Sequence, residues 1–381
     1  MTELKRLYSL DAARGIAALA VVVWHWQHMY LIGGGKLADP TIQPFYAVLF
    51  PLYHYGWLAV EFFFTLSGFV FFWLYGQSLS QKSLSLGRFW LARFSRLYPL
   101  HLLTLLVIAM LQITLMANGH DSFVYGGTTW PNFVLNLLFL QYFIPGWTFN
   151  GPEWSVGVEI VLYVLFCLYC RLLKPHWIVP LLASVAVGYW VMQTQWALGR
   201  GIIGFFAGGV VYELWRRLRD RPTMAPMVTP LFALTIALWV YAAAEAKFHW
   251  LSQLLDSFGV IGWWWVEMIF RLGLVPLTVL ALALQEAQGA RFWQRLAPLG
   301  DLTYALYLWH FPLQLVIATA IMLGGLPLAP VQSPLGFLAY MTVLIALSAA
   351  SYRFIERPAQ TWLRNRLAPR RAPAAVTSDA G

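Results

Sequence analysis

The sequence predicts an all-α integral membrane protein of about ten transmembrane helices, with both termini cytoplasmic and one short re-entrant or interfacial segment. Three observations carry this. Of 381 residues, 60% are apolar and 11% charged, against roughly half and a quarter in soluble domains. The apolar residues gather into stretches near the length of about 20 residues that crosses a bilayer core. The basic residues fall in alternate loops, as the positive-inside rule requires.

The apolar stretches lie at 10–32, 57–76, 97–117, 156–172, 177–192, 198–215, 227–244, 263–285, 302–324 and 335–354. A shorter run, 133–144, is too brief to cross and reads as the re-entrant or interfacial piece. The first stretch begins like a signal peptide, with Lys5 and Arg6 ahead of it. However, Asp11 and Arg14 interrupt the run and no small-residue cleavage site follows, so it reads as a retained span.

With the N-terminus inside, the cytoplasmic loops hold Lys82, Arg88, Arg93 and Arg96, then Arg171 and Lys174, then Arg216, Arg217, Arg219 and Arg221, then Arg291 and Arg295. The tail adds a further basic group, whereas the outside loops hold only Lys36 and Lys247. One missed span would invert this bias partway along. The net charge of +9 thus sits on one membrane face, which excludes nucleic acid as its partner and points to membrane lipid. The segment 359–381 reads as a basic, disordered cytoplasmic tail behind a membrane domain of 1–358. Cys167 and Cys170 stand alone in an apolar segment as packing residues, and no metal-ligand spacing occurs.

Ionisable groups inside spans are costly and therefore candidate functional residues. Arg14 and His25 are eleven residues apart, and eleven steps of about 100° return to within roughly 20° of the same helix face, about 16 Å along the axis. A buried His suits proton transfer, and an Arg suits phosphate or an oxyanion. Equally, His25 could serve only to hydrogen-bond a neighbouring helix while Arg14 pairs with Asp11. His28 lies one turn beyond. Glu61 and Glu159 are each placed to orient His25 or to serve as helix-packing polar groups. Glu267 and Arg271, four apart, neutralise each other. Arg200 either lines an acceptor entrance or snorkels to the interface. The loop RFWLARFSRLYP alternates Arg88, Arg93 and Arg96 with aromatics, a pattern suited to phosphate and base stacking or to anionic lipid.

Together these segments resemble the membrane-bound acyltransferase-3 family of bacterial O-antigen and polysaccharide O-acetyltransferases, over almost the whole chain. Arg14 and His25 in LDAARGIAALAVVVWHW stand in its R-x10-H arrangement. GWLAVEFFFTLSGF resembles its G-V-D-x-F-F-V-L-S-G-F segment, with Glu61 where Asp is commoner. Arg93 and Arg96, followed by Pro99, are similar to R-x-x-R-I-x-P. Trp154, Ser155 and Glu159 match W-S-L-x-x-E. LGDLTYALYLWHFPL brings His310 and Pro312 into register with a late motif, and SYRFIERP resembles the closing S-Y-x-x-I-E-x-P. Some members carry a further soluble hydrolase-like domain, which this sequence does not extend into.

The resemblance implies a multi-pass enzyme of the bacterial inner membrane with acyl-CoA as donor, acetyl being the common acyl group. The CoA phosphates fall to Arg93, Arg96 and Arg88, and the catalytic set is His25, Arg14, Glu159 and Glu61. Trp154, Ser155, Arg200 and His310 are expected at the acceptor, a hydroxyl-bearing glycan or lipid-linked sugar. The competing readings are a transporter or flippase of a lipid-linked glycan or acylated metabolite, and a non-catalytic partner in envelope assembly.

Overall fold

The computed structural model describes residues 6–141 and 148–367, among which all regular structure is helical. In chain order the main helices are α1 (Tyr8–Trp24), α2 (Tyr46–Tyr55), α3 (Leu58–Phe71), α4 (Leu86–Ala117), α5 (Trp130–Leu137) and α6 (Trp154–Leu172). They continue with α7 (Ile178–Met192), α8 (Trp196–Leu218), α9 (Ala225–Phe248), α10 (Trp250–Ser257) and α11 (Gly262–Ile269). The last are α12 (Val275–Ala287), α13 (Thr303–Gly324), α14 (Pro334–Ser351) and α15 (Arg357–Leu367). Three π turns interrupt this series, at Phe72–Gly76 after α3, at Phe270–Leu274 between α11 and α12, and at Tyr352–Glu356 between α14 and α15.

Among the described residues, eight helices are long and apolar enough to cross a membrane. They account for eight of the ten expected stretches. The other two are shorter: α7 has 15 residues and α1 has 17. The first stretch was expected to run unbroken through residue 32, but its α-helix stops at Trp24 and tightens into a 3-10 segment, His25–Tyr30. At the break the His25 carbonyl accepts from Gln314 Nε2 on α13 at 3.0 Å.

Two further expectations change. The arginine loop is the first turns of α4, whose 32 residues are started by Ser85, with its hydroxyl accepting from the Arg88 amide. The tail expected from 359 is helical through Leu367, because α15 packs on α4 and Arg364 donates to Ser95 Oγ at 3.3 Å. Residues 368–381 lie outside the described residues. The short stretch 133–144 overlaps the second half of α5, and its positions 142–144 also lie outside them. The carbonyl of Asn136 in α5 meets His101 Nε2, which packs this segment against α4.

The centre of the bundle is α3, α8, α12, α1 and α13, with α7, α9 and α14 around it. α3 and α8 cross closely enough that a Cβ on Gly68 would strike the Phe205 backbone, and one on Gly208 the Thr65 carbonyl. The span containing α8 is 72% buried within the protein and that containing α9 only 17%. The outward residues of the peripheral helices are nevertheless apolar, among them Val179 and Trp190 on α7, Leu234 and Val240 on α9, and Leu335 and Val343 on α14. An apolar periphery around a core that holds the charged groups is the pattern of a protein solvated by lipid. The chain is a multi-pass membrane protein.

Candidate active site

A cavity of about 140 Å³ opens between α1, α3, α4, α6 and α13. Arg14, Arg93 and Arg96 line one end; Ser67, Glu159 and Tyr163 form part of its wall; Ser155, Thr303 and Tyr307 also face it. Arg93 and Arg96 are three apart on α4 and share a face, whereas Arg88 lies about 140° round from Arg93 and is exposed. Arg93 is held from behind by Tyr75 in the first π turn, whose hydroxyl accepts at 2.8 Å, and its guanidinium lies 5.2 Å over the Phe71 ring. A second pocket, of about 190 Å³, shares Arg14, Arg96 and Tyr304 with the first and adds Asp301, Glu356, Arg357 and Gln360.

Arg14 donates to the Gly300 carbonyl at 2.7 Å and lies 3.3 Å from Asp11. The start of α1 is fixed by a residue from α12: Glu286 accepts from the amides of Tyr8 and Ser9, each at 2.7 Å, and from the Ser9 hydroxyl at 2.6 Å. α1 and α13 then run side by side in the same direction. Arg14 meets Gly300 near one face, and eleven and ten residues later His25 meets His310, ring centroids 4.9 Å apart.

The histidines form a cluster with defined protonation. His25 Nδ1 lies 3.0 Å from the Val21 carbonyl and His310 Nδ1 2.6 Å from that of Tyr307. A carbonyl only accepts, so both rings carry a hydrogen on Nδ1, and in the neutral form each presents a bare Nε2. His28 differs. Its Nδ1 donates to Gln314 Oε1 at 2.9 Å, and its Nε2 accepts from the Tyr125 hydroxyl at 3.2 Å. Neither His25 nor His310 lines the cavity; Tyr307, one turn before His310, does, and its hydroxyl bonds Ser155 Oγ and the Pro152 carbonyl, each at 2.6 Å.

Neither carboxylate is hydrogen-bonded to His25. Glu159 accepts from Ser67 at 2.9 Å and from Tyr163 at 2.7 Å in the cavity wall. Glu61 is 1% exposed and takes Arg200 at 2.6 Å and Arg271 at 3.0 Å, while Arg271 also reaches Glu267 at 3.1 Å. The carboxylate–His25 dyad drawn from sequence is therefore not formed. Two arginines claim Glu61, and a hydroxyl pair claims Glu159. Arg200 does not snorkel: it is buried, with its guanidinium 4.0 Å over Trp196 and 5.2 Å over Trp154. Neither Arg200 nor Trp154 lines the cavity.

Residues 7–353 match the acyltransferase-3 family, described as an acyltransferase domain. The chain belongs to the acyltransferase-3 family. It is 28% identical to "Acyltransferase MdmB" of Streptomyces mycarofaciens over 98% of this chain and 95% of that protein. It is 22% identical to "Peptidoglycan O-acetyltransferase OatA" of Listeria monocytogenes, over 94% of this chain and 56% of OatA. The "O-acetyltransferase OatA" of Staphylococcus aureus gives 22% over 93% and 58%. The chain thus spans little more than half of the OatA proteins. No solved structure matches it. The protein is an acyltransferase acting on groups other than aminoacyl groups.

In this acyltransferase the structure also brings in residues that the sequence reading passed over. His101 and Glu153, both 0% exposed, form a buried ion pair. His101 faces a carboxylate through Nδ1 and the Asn136 carbonyl through Nε2, an arrangement that two N–H donors satisfy. Glu153 adjoins the W-S motif, and Tyr307 lies within a quoted motif, but nothing local marks either. Glu286, Gln314 and Tyr125 carried no signal at all, since each acts on a segment far away in the chain.

Proposed function

We propose that this acyltransferase is an inner-membrane enzyme moving an acyl group from acyl-CoA to a hydroxyl of a glycan or other envelope acceptor. In this reading it has ten transmembrane helices and both termini are cytoplasmic. The observation that carries it is the cavity lined by Arg14, Arg93 and Arg96 together with Ser155 and Tyr307, with His310 one helical turn beyond Tyr307 on α13. Arg93, Arg96 and Arg14 hold the CoA phosphates by charge-assisted hydrogen bonds, and exposed Arg88 meets the nucleotide or the lipid headgroups. A space of about 140 Å³ is near the roughly 150 Å³ that accommodates a benzene ring, which supports a short acyl group such as acetyl. The O-acetyltransferase names of OatA relatives support a sugar hydroxyl as acceptor.

The chemistry rests on His25. Its Nε2 takes the proton of the acceptor hydroxyl as the oxygen attacks the thioester carbonyl. The C–S bond breaks, and the CoA thiolate recovers the proton from the imidazolium. In the other order, Nε2 attacks the thioester itself and carries the acyl group to the acceptor. Both need an unprotonated Nε2, which the Nδ1–Val21 hydrogen bond provides. Glu159, bonded to Ser67 and Tyr163, shapes the thioester's part of the cavity.

The test is transfer of label from radiolabelled acetyl-CoA in membranes expressing wild type, His25→Ala or Arg93→Ala at matched levels, with native-host envelope extract as acceptor. Label should reach a glycan or lipid fraction with wild type only. His25→Ala should lose at least 10²-fold, and Arg93→Ala should raise the acetyl-CoA concentration needed. Equal labelling in all three membranes would remove His25 from the reaction.

A further inference from the structure

A general base in a buried site becomes a cation at the moment it works, and an unpaired buried cation is costly. Enzymes that use a histidine base commonly meet this with a carboxylate on the other ring nitrogen. Here that position is taken by a neutral carbonyl, Val21 O, and among the described residues no carboxylate bonds to His25. The charge needs another acceptor.

His310 has the required properties. It is 0% exposed, its Nδ1–H is committed to the Tyr307 carbonyl, and its Nε2 is buried with no hydrogen-bond partner among the described residues. An unsatisfied buried nitrogen is itself destabilising, so its retention asks for a reason. The two ring centroids are 4.9 Å apart with planes at 40°. The neutral pair makes no Nε2–Nε2 hydrogen bond, and at that centroid spacing a ring rotation on protonation of His25 would form one of about 2.7–3.2 Å. His28 is nearly as close, at 5.1 Å, but both its nitrogens are engaged by Gln314 and Tyr125.

Resting on the acyl-CoA reading above, we infer that His310 is the positioning residue for His25: its bare Nε2 is the buried acceptor for the His25 imidazolium, on the reacting nitrogen itself, where a His–acid dyad has its carboxylate on the other one. The proton passes from the acceptor hydroxyl to His25 Nε2 as that oxygen turns to the thioester carbonyl; it is then shared with His310 Nε2 while the C–O bond completes and the C–S bond breaks, and it returns to the CoA thiolate. No group other than donor and acceptor is consumed. The backbone around His310 is fixed to match: Tyr340 donates to its carbonyl at 2.7 Å.

The experiment compares His310→Gln with His310→Leu. Gln retains an acceptor near the position of Nε2, while Leu fills the buried space with an apolar side chain. Packing alone would favour Leu; a hydrogen bond to a cation favours Gln. Initial rates are read with radiolabelled acetyl-CoA and native-host envelope extract, and thermal unfolding in detergent serves as the fold control. His310→Leu should lower the maximal rate about 10- to 100-fold, the worth of a charge-assisted hydrogen bond, with the half-saturating acetyl-CoA concentration unchanged. His310→Gln should keep a several-fold higher rate than His310→Leu. Should His310→Leu not reach the membrane, His310→Ala takes its place, and added imidazole should raise its rate at least tenfold. Leu at or above Gln, or an Ala variant indifferent to imidazole, overturns the pairing. A wild type inert towards acetyl-CoA would instead overturn the acyl-CoA reading on which the pairing rests.

Discussion

At the scale of single residues, ionisable side chains of the same type have separate fates according to what the bundle places beside them. Glu61 and Glu159 look alike in sequence, each an acid inside an apolar span. Glu61 is claimed by two buried arginines, Arg200 and Arg271, whereas Glu159 accepts only hydroxyl hydrogens in a cavity wall. Glu61→Ala leaves those arginines facing only Glu267, and should destabilise the protein by about 3–5 kcal/mol, read as a large fall in the unfolding temperature in detergent. Glu159→Gln keeps a carbonyl oxygen for Ser67 and Tyr163. It should leave the unfolding temperature near that of wild type and act on transfer instead. If both variants unfold alike, the division between a structural and a cavity carboxylate is wrong.

At the scale of elements, helix breaks are where side chains gain access to backbone. Pro312 lies inside α13 and has no N–H, so the Leu308 carbonyl four residues earlier has no helical partner. Asn150 Nδ2, from the segment before α6, donates to it at 3.2 Å. Pro312→Ala restores a competing N–H. The cost of Asn150→Ala should then be smaller in that background than in wild type, with a coupling of about 0.5–1.5 kcal/mol in a double-mutant cycle. The π turns act similarly: they contain Tyr75, Arg271 and Glu356, each at a pocket or buried ion pair. At the start of α1, Glu286→Ala removes the acceptor for two amides and a hydroxyl, and about 1–2 kcal/mol of stability should go with it. A wild-type unfolding temperature in that variant would show the cap to be dispensable.

At the scale of the whole molecule, the charged groups sort by depth. Arg6, Asp301 and Arg14 gather where α1 begins, and Tyr352, Glu356 and Arg357 adjoin the same pocket, so the first and last described helices meet on one face. The proposed orientation puts that face in the cytoplasm. Lys36→Cys and Lys247→Cys, both at exposed positions, should react with an impermeant thiol reagent added outside intact cells, and Arg88→Cys only after permeabilisation. Background should be low because Cys167 and Cys170 are buried. Labelling of Arg88→Cys in intact cells would invert the topology and move the donor site to the other face.

Composition and hydropathy were enough to determine that this chain lives in lipid, because transfer of apolar residues and exclusion of charge act residue by residue and need no knowledge of partners. The same local character made the spacing of Arg14 and His25 legible, since an α-helix fixes its own periodicity. The motif marked Arg93 and Arg96, but as a loop; the helix that puts them on one face came from the structure. Only the tertiary structure decided which groups touch across helices: His310 rather than a glutamate beside His25, Arg200 and Arg271 on Glu61, Gln314 on the His25 carbonyl where α1 ends, and Glu286 where it begins. Those contacts join residues hundreds of positions apart. They depend on the relative rotation and depth of packed helices, which no periodicity within one helix specifies.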